Sequence, residues 1–169
     1  RLGPLVQQAE LLAAQYDAVV ANPPYMGLGG FNAVLKSFMD SRYPISKYDL
    51  YAGFIERARE FARHGGRFSL VAMHSWLFLK SYEHLRQTLL IHTSTESVIH
   101  LGARAFPELS GEKVQTAAFA TRNVAIPTAR GSFLRLVDLS TSEKGEVARW
   151  PARTFTGYSH NEFAVFPGA

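Results

Sequence analysis

The chain has 169 residues, enough for one domain or a large part of one, and its 47% hydrophobic content excludes a disordered tail. It has no cysteine, which excludes a disulfide framework and a thiolate metal site. A net charge of +4 permits a polyanionic partner such as nucleic acid without requiring one.

The first apolar pattern, Leu5, Val6, Leu11 and Leu12 in "GPLVQQAELLAAQ", predicts a short helix opening near Gly3-Pro4. "YDAVVA" (16–21) is too short and too β-branched for a helix and predicts a buried strand. Phe31, Leu35, Phe38 and Met39 recur at helical spacing before the loop "DSRYPISK". A stronger helix is expected from about Asp49 to His64, with Leu50, Phe54, Ile55, Ala58 and Phe61 on one face. Asp49 reads as its N-terminal cap and Gly65-Gly66 as its stop. "RFSLVAM" (67–73) predicts the next buried strand. "YEHLRQTLL" follows as a helix with Leu85, Leu89 and Leu90 on one face and Ser81 as cap. Strands are then expected at 97–102, 114–121 and 132–139, with no helical pattern between the last two.

Strands alternating with helices predict an α/β layer with a mostly parallel sheet, closed by an antiparallel hairpin at its edge. Residues 1–139 read as one unit, and 140–169 as a linker or the start of a following module. The longest apolar runs, such as "FSLVAM", are too short to span a bilayer, and "RLGPLVQQAE" lacks a signal-peptide core. The expectation is a soluble, cytoplasmic chain with no membrane partner.

The chemistry concentrates in "ANPPY", directly after the first strand. Open α/β sheets bind ligands at the carboxyl ends of their strands. Each proline fixes its own φ and holds the residue before it extended, and neither supplies an N–H. The Asn22 side-chain oxygen and the Pro23 carbonyl are thereby set to accept two hydrogen bonds from one flat amino group, with Pro24 stiffening the turn. Tyr25 adds a ring on which a planar substrate can stack. An amine conjugated to a ring is a poor nucleophile. Two acceptors on its hydrogens favour rehybridisation and stabilise the positive charge that develops as it attacks. Any planar amine suits this grip, including a glutamine amide of a protein or a base of RNA.

The set "NPPYMGLGGFNAVLK", "DLYAGFIERAREFARHGGRFSLVAMHSWLF" and "LGARAFPELSGEKVQTAAFATRN" resembles, in order and spacing, the adenine-specific DNA methyltransferases that act on the exocyclic amine. It is most similar to the large adenine methyltransferases of bacterial BREX phage-defence systems. The resemblance covers roughly residues 10 to 125. It implies a partial Rossmann-like S-adenosylmethionine-dependent methyltransferase fold, with S-adenosylmethionine as cofactor and no metal. Double-stranded DNA is the implied partner, alongside other phage-defence subunits.

By position, the resemblance implies that Asn22 and Pro23 accept hydrogen bonds from the target amine and that Tyr25 stacks on the target base. Phe106 matches the aromatic on the base's other side. Phe54 matches a contact to the adenine ring of the cofactor, with core packing as the other reading of its place on the helix. Asn22 also borders the cofactor. Lys36, Arg42, Lys47 and Lys80, in or beside the loops of this edge, are candidates for DNA phosphates or simply solvated charges. None of the six histidines is spaced as a catalytic dyad or metal pair.

The family's glycine-rich cofactor loop is not in this sequence, since "GLGG" (27–30) follows the catalytic turn rather than a strand. The chain reads as the second half of a catalytic domain. The resulting expectation is a methyltransferase as part of a longer protein, with a non-catalytic DNA-binding fragment as the rival.

Overall fold

Strand β1, Tyr16–Ala21, is the edge from which the rest of the sheet is built. The computed structural model describes residues 2–103, 105, 114–137, 139–140 and 142–144, and the backbone of 155–159. Helix α1 (Gly3–Ala13) precedes β1. After it come α2 (Ala33–Arg42), α3 (Leu50–Phe61), β2 (Ala62–Met73), α4 (Glu83–His92) and β3 (Ser94–Gly102). The described part closes with β4 (Thr116–Arg122), β5 (Arg130–Arg135) and β6 (Phe155–Ser159). The strand order is β1-β2-β4-β3-β5-β6.

The expected α/β layer is present, and its sheet is mixed. β1 with β2 and β3 with β5 are parallel, whereas β4 is antiparallel to both β2 and β3. The fourth strand therefore does not form an edge hairpin with the fifth. It slots between the second and third. Its sequence fits the place: up to its last residue, Arg122, β4 carries no charge, and it has no proline, the marks that protect an edge strand. β5, "RGSFLR", has arginines at both ends and lies outside β3. β6 pairs antiparallel with β5, so residues 155–159 extend the same sheet beyond residue 139.

One core joins α3, β2, α4, β3 and β4. Tyr51, Ile55, Phe68, Leu70, Leu85 and Phe119 sit at its centre, all 2% exposed or less. A fully buried side chain of this size contributes about 1.5–3 kcal/mol. The alternate residues of β2, Ser69, Val71 and Met73, are only half buried. The α3 face is rotated from expectation: Tyr51, Ala52, Ile55 and Ala58 point inward, while Phe54 is 39% exposed.

Asp49 caps α3 as expected, accepting from the Tyr51 N–H. Two other expected helix ends are not realised. α3 stops at Phe61, and Gly65-Gly66 belongs to β2, where Gly65 takes φ +75°. A Cβ on Gly66 would lie 3.0 Å from the carbonyl oxygens of Tyr16, Asp17 and Arg63, so close backbone approach explains that glycine. Ser81 does not cap α4, because a short 3₁₀ turn, Lys80–Tyr82, runs directly into the helix. No helix among the described residues is long and apolar enough to cross a membrane.

Candidate active site

β1 ends at Ala21, and the motif leaves the carboxyl edge of the sheet beside the carboxyl end of β2. Pro23 is buried, Asn22 and Pro24 are exposed, and Tyr25 is half buried. Among the described residues nothing hydrogen-bonds the Asn22 carboxamide, which leaves its oxygen available.

Tyr25 is held from two sides. Its hydroxyl donates to the Val71 carbonyl over 3.5 Å, and its ring meets Tyr51 edge-on at 5.9 Å. Burial pushes its phenol pKa up, against the opposing Thr116 hydroxyl and with the Asp49 charge adding to the rise. Tyr51 in turn packs on Tyr82, and Tyr82 on Tyr48, and the Tyr51 hydroxyl bonds Ser75 Oγ at 2.9 Å. Burial also drives the Tyr51 and Tyr82 phenols up, so both are neutral hydrogen-bonding groups at physiological pH.

The turn after Tyr25 is stapled to the start of α3. Asp49 Oδ1 accepts from the Met26 N–H at 3.0 Å and from the Tyr51 N–H at 3.2 Å. The Leu50 N–H donates back to the Met26 carbonyl at 2.9 Å, and Gly27 bridges to Asp49. Burial raises the Asp49 pKa, opposed by the backbone N–H groups of Tyr51, Met26 and Leu50. Sequence reading recognised only the cap. The staple is a contact between residues far apart in the chain, so local pattern carried no sign of it.

The remaining expected site residues are dispersed. Phe54 lies on the exposed flank of α3, one turn in from the staple, with its ring free of the core. Phe106 lies outside the described residues. Lys36 is exposed on α2, and Lys80 is exposed in the turn after β2. Lys47 pairs with Asp40 at 3.0 Å. Arg42 pairs with Glu60 at 2.7 Å, near the end of α3 that leads into β2, and so lies at the edge of the sheet opposite the motif. Chain proximity to the loop placed Arg42 wrongly, because α2 runs away from the motif along α3. An open cleft of about 510 Å³, lined by Gln15, Arg59, His64, His92 and Asn123, also belongs to that opposite edge.

Sequence reading missed one constellation altogether. His74 Nδ1 and His100 Nε2 are 2.8 Å apart, with ring centroids at 4.9 Å. Burial and the neighbouring His100 push His74 down to about 4. Burial also lowers His100, helped by Arg135 and Lys144 and opposed by a hydrogen bond with Gln115. Both rings are neutral at pH 7, one donating and one accepting. No third His, Asp or Glu joins them as a metal-ligand cluster among the described residues. His74 opens the short 3₁₀ turn His74–Leu77 after β2 and His100 lies on β3, and no spacing rule connects them.

The family model for Eco57I restriction-modification methylases matches residues 6–106. The chain is 43% identical over 166 residues to the adenine-specific methyltransferase BrxX of Escherichia coli O9:H4 (strain HS), a match covering 98% of this chain and 14% of that protein. It is 38% identical over 147 residues to the adenine-specific methyltransferase PglX of Lacticaseibacillus casei (strain Zhang), covering 85% of this chain and 12% of that protein. The chain thus spans a small part of the curated relatives it matches. A crystal structure of the methyltransferase subunit of a type I restriction-modification system from Streptococcus thermophilus superposes with a TM-score of 0.59 at 16% identity, over 90% of this chain and 37% of that one. That likeness concerns the fold, an α/β Rossmann-like methyltransferase sheet.

Proposed function

This chain belongs to the Eco57I restriction-modification methylase family, and from that premise we propose that the protein containing it methylates the exocyclic N6 amine of adenine in double-stranded DNA. The role is phage defence of the BREX or restriction-modification kind, in the cytoplasm, with other defence subunits as partners. The observation that carries the reading is the motif's geometry. An exposed carboxamide, free of partners among the described residues, stands at the carboxyl end of β1 beside a half-buried tyrosine ring braced by Tyr51. The relatives' adenine specificity favours a nucleic-acid base over a glutamine amide.

Adenine inside a duplex is unreachable, so the base is flipped out at a cost of roughly a few kcal/mol. Stacking on Tyr25 returns on the order of 1–3 kcal/mol. Asn22 Oδ1 and the Pro23 carbonyl accept the two amine hydrogens, orient the nitrogen lone pair outward and stabilise the charge it acquires. Phe106 is assigned the second face of the base. S-adenosylmethionine supplies an electrophilic methyl on its sulfonium. The exposed ring of Phe54 and the Asn22 border fit its adenosine side, while a glycine-rich loop outside residues 1–139 holds the remainder. Residues 1–139 are the second half of that catalytic domain. Lys36, Lys47 and Lys80 are assigned to DNA phosphates.

The test is Asn22→Ala in the full-length protein, with adenine methylation mapped on DNA. Loss of this acceptor is expected to lower kcat by roughly 100- to 1,000-fold. Full methylation by the variant would overturn the assignment.

A further inference from the structure

We propose that His74 and His100 are a positioning pair for the transfer reaction, whose mutual hydrogen bond fixes the wall of the sheet on which Tyr25 rests. The inference deepens the methyltransferase reading and rests on it.

The wall is the segment Val71–Ser75 at the carboxyl end of β2. Tyr25 touches it directly, through its hydroxyl on the Val71 carbonyl. It touches it again through Tyr51, whose ring packs edge-on against Tyr25 and whose hydroxyl bonds Ser75 Oγ. His74 sits between these two points of support. Its backbone N–H donates to the Gln115 carbonyl at 2.9 Å, one step beyond the Met73–Thr116 pair that closes the β2–β4 ladder. Backbone pairing ties the wall directly to β4 alone, and only through β4 to β3. The His74 side chain carries the tie onward, past β4 to His100 on β3, a strand that is not a neighbour of β2. His100 is itself anchored, since its carbonyl accepts from the Leu136 N–H at 2.8 Å just beyond β5. The imidazole–imidazole bond thus adds a direct side-chain tie from the motif's wall to β3, across the intervening β4.

The surroundings keep that bond intact. Phe78 packs edge-on against His74 at 4.7 Å. The charged groups acting on His100 are Arg135 on β5 and Lys144, both cationic, with the polar Gln115 before β4. No carboxylate is among these influences to draw either ring into its charged form. A His pair that stays neutral is suited to holding position rather than to moving protons.

The experiment compares four variants of the full-length protein. His74→Leu and His100→Leu remove the bond, and His74→Asn and His100→Gln keep a hydrogen-bonding atom near each lost nitrogen. Amide hydrogen exchange is followed in segments 71–75, 114–117 and 50–61, and methylation kinetics are measured in parallel. The leucine variants are expected to exchange faster at 71–75 and 114–117 while 50–61 stays protected. Their kcat should fall roughly ten- to a hundredfold, the size of effect that follows from slight misplacement of a reacting group. The KM for S-adenosylmethionine should stay at the wild-type value, the amide variants should recover most of the rate, and the double leucine variant should be no slower than the slower single. Unchanged exchange at 71–75 would overturn the proposal, as would faster exchange with an unchanged kcat. A wild-type protein that methylates no adenine would sink the parent reading instead, and the exchange data would still decide whether the pair holds this wall.

Discussion

Asp49 shows how much a single carboxylate can organise. Its Oδ1 serves the second helical residue, as an N-cap does, and also the Met26 N–H just beyond the catalytic turn. Asp49→Ala therefore strands two backbone donors. In the full-length protein the expected loss is about 1–2 kcal/mol. It should appear as faster amide exchange across residues 22–30 and in the first turn of α3. Asp49→Asn keeps an oxygen acceptor and should retain most of the protection. Equal protection in the alanine variant would mean that the Gly27 bridge and the Leu50–Met26 bond hold the turn unaided. Asp49 was legible in the sequence as a cap because capping is a local rule. Its second bond was not, because the partner lies in another loop.

At the scale of the element, three strands meet in one ion cluster at the edge opposite the motif. Glu96 of β3 accepts from Arg67 of β2 at 2.7 Å and from Arg122 of β4 at 2.8 Å. The hydrogen bond from Arg67 is the largest cause holding the Glu96 pKa below its ordinary value of 4.5, with Arg122 assisting. A carboxylate depressed in the folded state stabilises it above the unfolded pKa, and this is lost as pH falls through the folded value. Acidification below about pH 4.5 should therefore lower the melting temperature less in Glu96→Gln than in the wild type. An identical acid limb in both would show that the cluster contributes nothing. The same cluster marks the limit of sequence reading. β2, α3 and the existence of β1 were legible because "YDAVV", "FSLVAM" and the run from Asp49 carry local period and punctuation, but β1 was expected to be buried and is largely exposed, because it lies at the end of the sheet. The insertion of β4 between β2 and β3 depends on which strand edges meet, and only the absence of charge in "TAAFAT" hinted at it. Gly65-Gly66 looked like a helix stop and proved to be a strand irregularity, since one dipeptide satisfies both needs. The exposed place of Phe54 was misjudged by a fraction of a helical turn, within the error of any periodicity count.

For the whole molecule, the surface of α1 and β1 is the telling region. α1 buries none of its residues: Leu5, Val6, Leu11 and Leu12 are all more than half exposed, as is Val20 on β1. Among the described residues, β1 has a strand neighbour on one side only. An exposed apolar helix and an open strand edge are each an association hazard in water. Expressed alone, the 169-residue chain should self-associate with rising concentration, as read by sedimentation, and should bind no S-adenosylmethionine at micromolar concentration by calorimetry. A monodisperse monomer that binds the cofactor would show that these 169 residues suffice for cofactor binding. The core at Tyr51, Phe68, Leu85 and Phe119 takes Val19 and Ala21 from β1, but no residue of α1 is buried. The exposed α1 is thus separate from the core. A partner surface that covers α1 could therefore dock or leave without reopening the core.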